Sequence, residues 1–373
     1  MKIAVLIRNY KKSSGGAERY CVELTEKLAI NHEVHVYAQQ FEERSKLITF
    51  HRISKFFERP RFLNQLLFSW LTKRATEKKF DVVHSHELVT HADIYTIHVP
   101  CFKSILIDLF GYKKILGWMN TLLSPRKIFY LWLEKQQMKQ IPKRRLISVS
   151  EYLSRNISQC YPLVKNISIA HPGINENFVK KNLSKTIKLR NLKNILLIPD
   201  NGFLMLLVAN DFKKKGLPTI IKSLEILNNK DLHLIVAGNG KPKKHYIPDY
   251  LLDNIHFLGS VEDMSKLYSE VDLLIHPTLA DTYGMAPLEA MSMKLPVIIS
   301  NKEFCGFSEH LNNNEALLLE NPRDEDELSS KINYLYKDTD KRNMLAQNGF
   351  EKVGKITWEI TLKSTLDAYN SIT

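Results

Sequence analysis

One rhythm, heard twice, constrains this chain more than anything else in it. Short apolar runs alternate with stretches of helical spacing, and the whole series then starts again. In the first half "KIAVLI" (2–7), "HEVHVYA" (32–38), "FDVVHSH" (80–86), "IYTIHVP" (94–100) and "RLISVSE" (145–151) read as strands. "GGAERYCVELTEKLAI" (15–30) places Ala17, Cys21, Leu24 and Leu28 on one helical face. The second series has strands at "GFLMLLVAN" (202–210), "LHLIVAGNG" (232–240), "IHFLGSV" (255–261), "VDLLIHP" (271–277) and "LPVIIS" (295–300), with a helix at "LPTIIKSLEIL" (217–227). Strands alternating with helices predict parallel sheet covered on both faces.

The predicted class is therefore α/β, with two Rossmann-like domains facing an interdomain cleft. A chain of 373 residues is longer than one core usually holds. The expected division is 1–175 together with a returning C-terminal helix (358–373), a connection at 176–201, and 202–357.

Composition narrows the partners. Lysine and arginine number 53 against 40 acids, a net charge of +13, which favours an anionic partner. The four cysteines (Cys21, Cys101, Cys160, Cys305) are scattered, with no metal-ligand spacing and no disulfide framework. No apolar run is long enough to span a bilayer, and "MKIAVLIRNY" lacks the apolar length of a secretory signal. The expectation is a reducing, cytoplasmic protein, soluble or peripherally attached.

Ligands of open α/β sheets bind at the carboxyl ends of strands, beside helix N-termini. Four loops fall there. "SSGGAER" offers Gly15 and Gly16 ahead of a helix, although a glycine pair also makes an ordinary tight turn. "NDFKKKGLP" (210–218) sets Lys214 and Lys215 before a helix, where they suit a diphosphate or simply a solvated basic turn. "AGNGKP" (237–242) includes Gly238, and such loops are common after a strand. In "LIHPTLADTYGMAPLEAM" (274–291), Thr282, Tyr283, Gly284 and Met285 present turn amides between two carboxylates, Asp281 and Glu289. Either acid alone reads as a surface or capping group. Together they suit hydroxyls, Glu289 those of a ribose and Asp281 those of a sugar. His98 stands alone at a strand end, where packing is the ordinary role.

These pieces together ("GGAER", "FKKKGL", "VAGNGKP", "HPTLADTYGMAPLEAMSMKLPVI" and the late "TWEITLKSTLDAY") resemble the GT-B glycosyltransferases of family 4, in particular the lipopolysaccharide-core glucosyltransferases. The resemblance runs over nearly the whole chain and is densest from about 203 to 310. It implies a retaining transferase that takes a nucleotide-diphosphate sugar, such as UDP-glucose or a related UDP-hexose, and needs no metal or other cofactor. Asp281 and Glu289 fall on the family's E-x7-E motif, so the resemblance gives Glu289 the donor ribose and Asp281 the transferred sugar. Lys215 and Lys214 would neutralise the diphosphate, Gly16 would lie under it, and His98 would lie near the anomeric carbon. Two positions depart from the pattern. Asp281 is one methylene shorter than the usual glutamate, and Lys214 lacks the guanidinium fork of the usual arginine. The closing helix resembles the one that returns to the first domain.

Residues 102–145 hold ten lysines or arginines against Asp108 and Glu134, with seven aromatics. Lys113, Lys114, Arg126 and Lys127 interleave with Trp118, Phe129 and Trp132, a mixture suited to an anionic membrane surface. An ordinary helix pair with a solvated basic edge has the same composition. The leading expectation is a transferase at the inner face of the cytoplasmic membrane, acting on a lipid-linked or lipopolysaccharide-core acceptor. A nucleotide-sugar epimerase of the same fold is the second. A basic nucleic-acid-binding protein is the third, and it has no use for the paired acids and glycine loops, so no nucleic acid is expected as a partner.

Overall fold

The computed structural model describes residues 1–12, 15–42, 45–107, 116, 119–121, 123–165, 167–174, 191–240 and 247–372. Two compact units emerge. The first comprises Met1–Gly173 with Trp358–Thr373, the second Ile174–Thr357.

In the first unit the strands are β1 (Lys2–Leu6), β2 (Asn9–Tyr10), β3 (Glu33–Ala38), β4 (Gln40–Phe41), β5 (Ile48–Arg52), β6 (Val82–Ser85), β7 (Ile94–Ile97), β8 (Arg145–Ser148) and β9 (Ile167–Ile169). Seven form one parallel sheet in the order β5-β3-β1-β6-β7-β8-β9, with Val5 opposite Val36 on one side and His84 on the other. The short β2 and β4 pair separately. The Gly16–Leu28 helix buries Tyr20, Cys21, Leu24 and Leu28 against this core, while Ala17 is only half buried. The closing helix, Trp358–Asn370, belongs here too. Trp358 and Tyr369 are buried in the same core, and Trp358 meets Tyr20 edge to face at 5.3 Å.

The second unit holds β10 (Phe203–Val208), β11 (Leu232–Ala237), β12 (Ile255–Gly259), β13 (Leu273–His276), β14 (Val297–Ser300) and β15 (Leu317–Leu319). Its parallel order is β12-β11-β10-β13-β14-β15. Successive strand residues point to opposite faces. Leu204 and Leu206 accordingly enter one apolar cluster, and Phe203, Met205 and Leu207 another. Both faces of β10 are covered, which is why it reads as an unbroken apolar run. Much of the expected connection, 176–201, lies outside the described residues. Its described part makes the Asn191–Ile195 helix, and Leu192 and Ile198 join the core of the second unit.

Candidate active site

The strand order of the second sheet reverses between β10 and β13, the position at which open α/β sheets bind ligands at their carboxyl edge. The loops after these two strands are tied together. The Leu279 amide donates to the Lys214 carbonyl at 2.8 Å. Gly216, which precedes the Leu217–Leu227 helix, has φ +80°, and a Cβ there would lie 2.1 Å from the Pro277 carbonyl oxygen. Only glycine allows so close a crossing.

This crossing sets the ammonium of Lys215 on Asp281 Oδ2. His276, at the end of β13 and 1% exposed, reaches the same oxygen through Nε2 at 3.0 Å. The Asp281 backbone is fixed at both ends, its amide donating to the Phe304 carbonyl and its carbonyl accepting from Gly306. Burial alone would raise the Asp281 carboxyl. The His276 hydrogen bond and the Lys215 charge outweigh it and hold the group well below the usual carboxylate range. Burial and the Lys215 charge push His276 the other way, toward the neutral ring. A neutral His276 donates from Nε2 to Asp281 and keeps a bare Nδ1, buried and without a partner among the described residues.

His276, Asp281 and Cys305 could also converge on a cation, since their ligand atoms lie within 4.8 Å of one another. Lys215 already supplies positive charge at that point. The Cys305 thiol is pushed up to about 12 by burial and donates to the Tyr283 carbonyl at 3.2 Å, so it is no ready thiolate ligand.

The turn between the two acids is selective in what it shows outward. Gly284 has φ +108° and opens the Met285–Ser292 helix. The Tyr283 side chain is core, 5.6 Å from the Phe307 ring, and Met285 packs partly against the same cluster. What Tyr283, Gly284 and Met285 offer a ligand is thus mainly backbone. Glu289 is buried in that helix and accepts from the Tyr268 hydroxyl at 3.0 Å. Gly238 follows β11, but its amide already donates to the Gly259 carbonyl at 2.7 Å.

In the first unit, Gly15 and Gly16 lead into the Gly16–Leu28 helix, and the Gly15 carbonyl accepts from the Arg19 amide at 3.0 Å. Nearby on the carboxyl edge, Arg8 pairs with Glu87 at 2.9 Å. His98 follows β7, with Nε2 2.9 Å from His86 Nδ1. Burial pushes its ring down to about 3, so it is neutral near pH 7. None of the sequence motifs singles out His276, Tyr268 or His86 as a site residue. The signal for His276 was present, a histidine closing a strand five residues before an acid.

Of the basic aromatic segment, Lys113, Lys114 and Trp118 lie outside the described residues. Arg126, Lys127, Phe129 and Trp132 share the Pro125–Gln137 helix. Trp132 and Ile128 are each 44% exposed and Leu123 82%. Phe129 is half buried, its ring 5.7 Å from that of Phe62 on the Arg61–Thr76 helix. That second helix brings its own exposed Leu66 and Trp70. Glu134 points inward, accepting from the Phe102 and Lys103 amides and the Tyr161 hydroxyl, which leaves the outer face without it. Among the described residues no helix is long and apolar enough to cross a membrane.

Residues 14–178 match the family model Glycosyltransferase Family 4, and residues 190–352 the model Glycosyl transferases group 1. The chain is 25% identical to an uncharacterized glycosyltransferase of Methanocaldococcus jannaschii, over 99% of this chain and 98% of that one. It is 24% identical to the lipopolysaccharide glucosyltransferase WaaG of Escherichia coli K12, over 80% of this chain and 79% of the relative. The crystal structure of WaaG matches with a TM-score of 0.80 at 21% identity, covering 100% of this chain and 99% of that one. Anabaena HepE in complex with UDP and glucose matches with a TM-score of 0.73 at 16% identity, each chain covered in full. At such identities the structural likeness establishes the two-domain GT-B fold.

Proposed function

Since the chain is a glycosyltransferase, family 4 in its first half and group 1 in its second, we propose that it transfers a hexose from a nucleotide-diphosphate sugar, with retention and without a metal, to a lipid-linked or lipopolysaccharide-core acceptor. The observation that carries this reading is the Lys215–Asp281–His276 cluster at the switch point of the second sheet. The leaving group is a diphosphate, and catalysis amounts to stabilising the charge that develops on it. Lys215 supplies that charge and helix-end amides after Gly284 add to it. As Lys215 turns to the diphosphate, Asp281 is released to accept from hydroxyls of the transferred sugar. Glu289 takes the ribose diol. Gly15 and Gly16 allow close backbone approach, and His98 acts beside the anomeric carbon. The acceptor hydroxyl attacks from the face the diphosphate leaves, and its proton passes to a phosphate oxygen.

UDP-glucose is the first donor to try, because one relative is named a glucosyltransferase and one structural neighbour holds UDP and glucose. The exposed Leu123, Ile128 and Trp132 beside Arg126 support work at an anionic membrane surface; we propose its cytoplasmic side. The deciding experiment is a panel of UDP, GDP and ADP sugars, scored for binding and slow hydrolysis with EDTA present, with Glu289→Ala alongside. One nucleotide class should bind saturably and lose affinity in the variant. No binding to any of them sinks the proposal.

A further inference from the structure

Three histidines gather at the carboxyl edge of the first sheet, and the proposed chemistry employs only one of them. His84, within β6, is satisfied at both nitrogens: Nδ1 lies 2.7 Å from the Tyr369 hydroxyl and Nε2 2.7 Å from Thr96 Oγ1. Its ring lies 4.5 Å from that of His86. His86 Nδ1 is 2.9 Å from His98 Nε2, the two rings stacked at 5.3 Å. Tyr20 meets the His98 ring edge to face at 5.1 Å and helps to fix its plane. His86 Nε2 is buried and has no partner among the described residues.

One proton lies between His86 Nδ1 and His98 Nε2, and the question is which ring owns it. If His98 donates, His86 must carry its own proton on Nε2, a buried N–H with nothing to accept it. If His86 donates, its Nε2 is only an unused lone pair. An orphaned N–H is rarer in folded proteins than an under-used acceptor. Burial holds both rings neutral, so a shared imidazolium is no third possibility.

We infer that His86 is a positioning residue that locks His98 as the Nδ1–H tautomer, so that His98 presents a hydrogen-bond donor, and no base, at Nδ1. That nitrogen has no hydrogen-bond partner among the described residues. The assignment of the tautomer stands on this geometry and on the burial that keeps both rings neutral, whereas its use toward a substrate rests on the glycosyltransferase reading above. There His98 would bind an oxygen of the donor sugar or leaving group. It could not take the proton of the acceptor hydroxyl at Nδ1, which agrees with a route through the phosphate.

The test is 15N NMR of histidine-labelled protein, with the His98 resonances assigned through His98→Gln. Pyrrole-type and pyridine-type ring nitrogens separate widely and report the tautomer directly. Nδ1 of His98 should be protonated in the wild type and in His86→Asn, whose side-chain amide replaces the Nδ1–H donor. In His86→Leu, which has no donor, His98 should shift toward the Nε2–H form. Turnover should follow the tautomer: kcat within about three-fold for His86→Asn and down at least about ten-fold for His86→Leu, the donor KM moving far less. A wild-type His98 protonated on Nε2 overturns the assignment. A His98 tautomer unchanged in His86→Leu, or a flipped tautomer with full turnover, overturns the positioning role. If His86→Leu fails to fold, the wild type and His86→Asn still decide the first point. Wild-type protein that moves no sugar defeats the transferase reading and leaves the NMR result standing.

Discussion

The ammonium of Lys215 rests on the carboxylate of Asp281, 66 residues away in sequence. Each is the other's counter-ion, and His276 shares the same carboxylate oxygen. On the proposed reading, a diphosphate would have to outcompete the carboxylate for Lys215, and its success would expose the acid where a sugar needs it. On that reading, donor capture and readiness for the sugar would be coupled through this one contact.

Lys215→Met removes the cation and leaves Asp281 to His276. Stabilisation of the leaving diphosphate should fall, lowering kcat by about 10²–10³-fold. Lys215→Arg should recover only part, because a planar fork does not replace a compact ammonium. Steady-state transfer kinetics with excess donor checks both, and an unimpaired Lys215→Met would remove Lys215 from the chemistry.

Asp281→Asn preserves shape and can still accept from His276, but it abolishes the charge that holds Lys215. Because Lys215 is then freed, donor affinity should hold or improve while kcat drops. Isothermal titration with the donor nucleotide beside turnover separates the two effects. Parallel losses in both would instead mean that Asp281 chiefly organises the loop.

At Gly216, alanine would be strained twice, by φ +80° and by the Pro277 carbonyl. Gly216→Ala should cost more than about 1 kcal/mol of stability and should displace Lys215 along with the loop. Urea unfolding and donor binding read these losses, and a variant as stable as wild type would contradict the crossing described here.

His84 is fully buried, its pKa lowered to about 3 first by burial and then by His98. The unfolded chain takes up this proton below about pH 6.5 while the folded chain refuses it. Its contribution is complete above that value and is lost as pH falls toward 3, by about 1.4 kcal/mol per pH unit. Denaturant midpoints between pH 7 and pH 5 should fall accordingly. Flat stability across that range would argue against a neutral buried ring.

Trp132→Ala combined with Arg126→Ala should weaken sedimentation with anionic vesicles, and binding by the wild type should diminish as salt rises. Equal binding to neutral vesicles would point to apolar contact alone.

Most of the architecture was written in local pattern. The buried run of β10 is apolar throughout, β11 and β13 are apolar but for His233 and His276, and the Leu217–Leu227 helix was legible to its last residue. The strands left unread are of another kind. β5, "ITFHR", is a half-exposed edge, and β9 and β15 have three residues each. Such segments become strands because a neighbour offers them hydrogen bonds, a fact no short window contains. The candidate site divides likewise. Asp281 and Glu289 announced themselves by spacing, and Lys215 by its charge run. That Lys215 would meet Asp281, or Tyr268 meet Glu289, depends on how the loops cross in space.

The return of the closing helix to the first core also sets an order on synthesis. Residues 174–357 form one uninterrupted stretch and can fold as soon as they leave the ribosome. The first unit is still incomplete at that point, since Trp358 and Tyr369 of its core are yet to come. His84 waits 285 residues for the hydroxyl that satisfies it. The half of the molecule that is made first is therefore finished last, and during translation its open apolar face would be a natural client for chaperones.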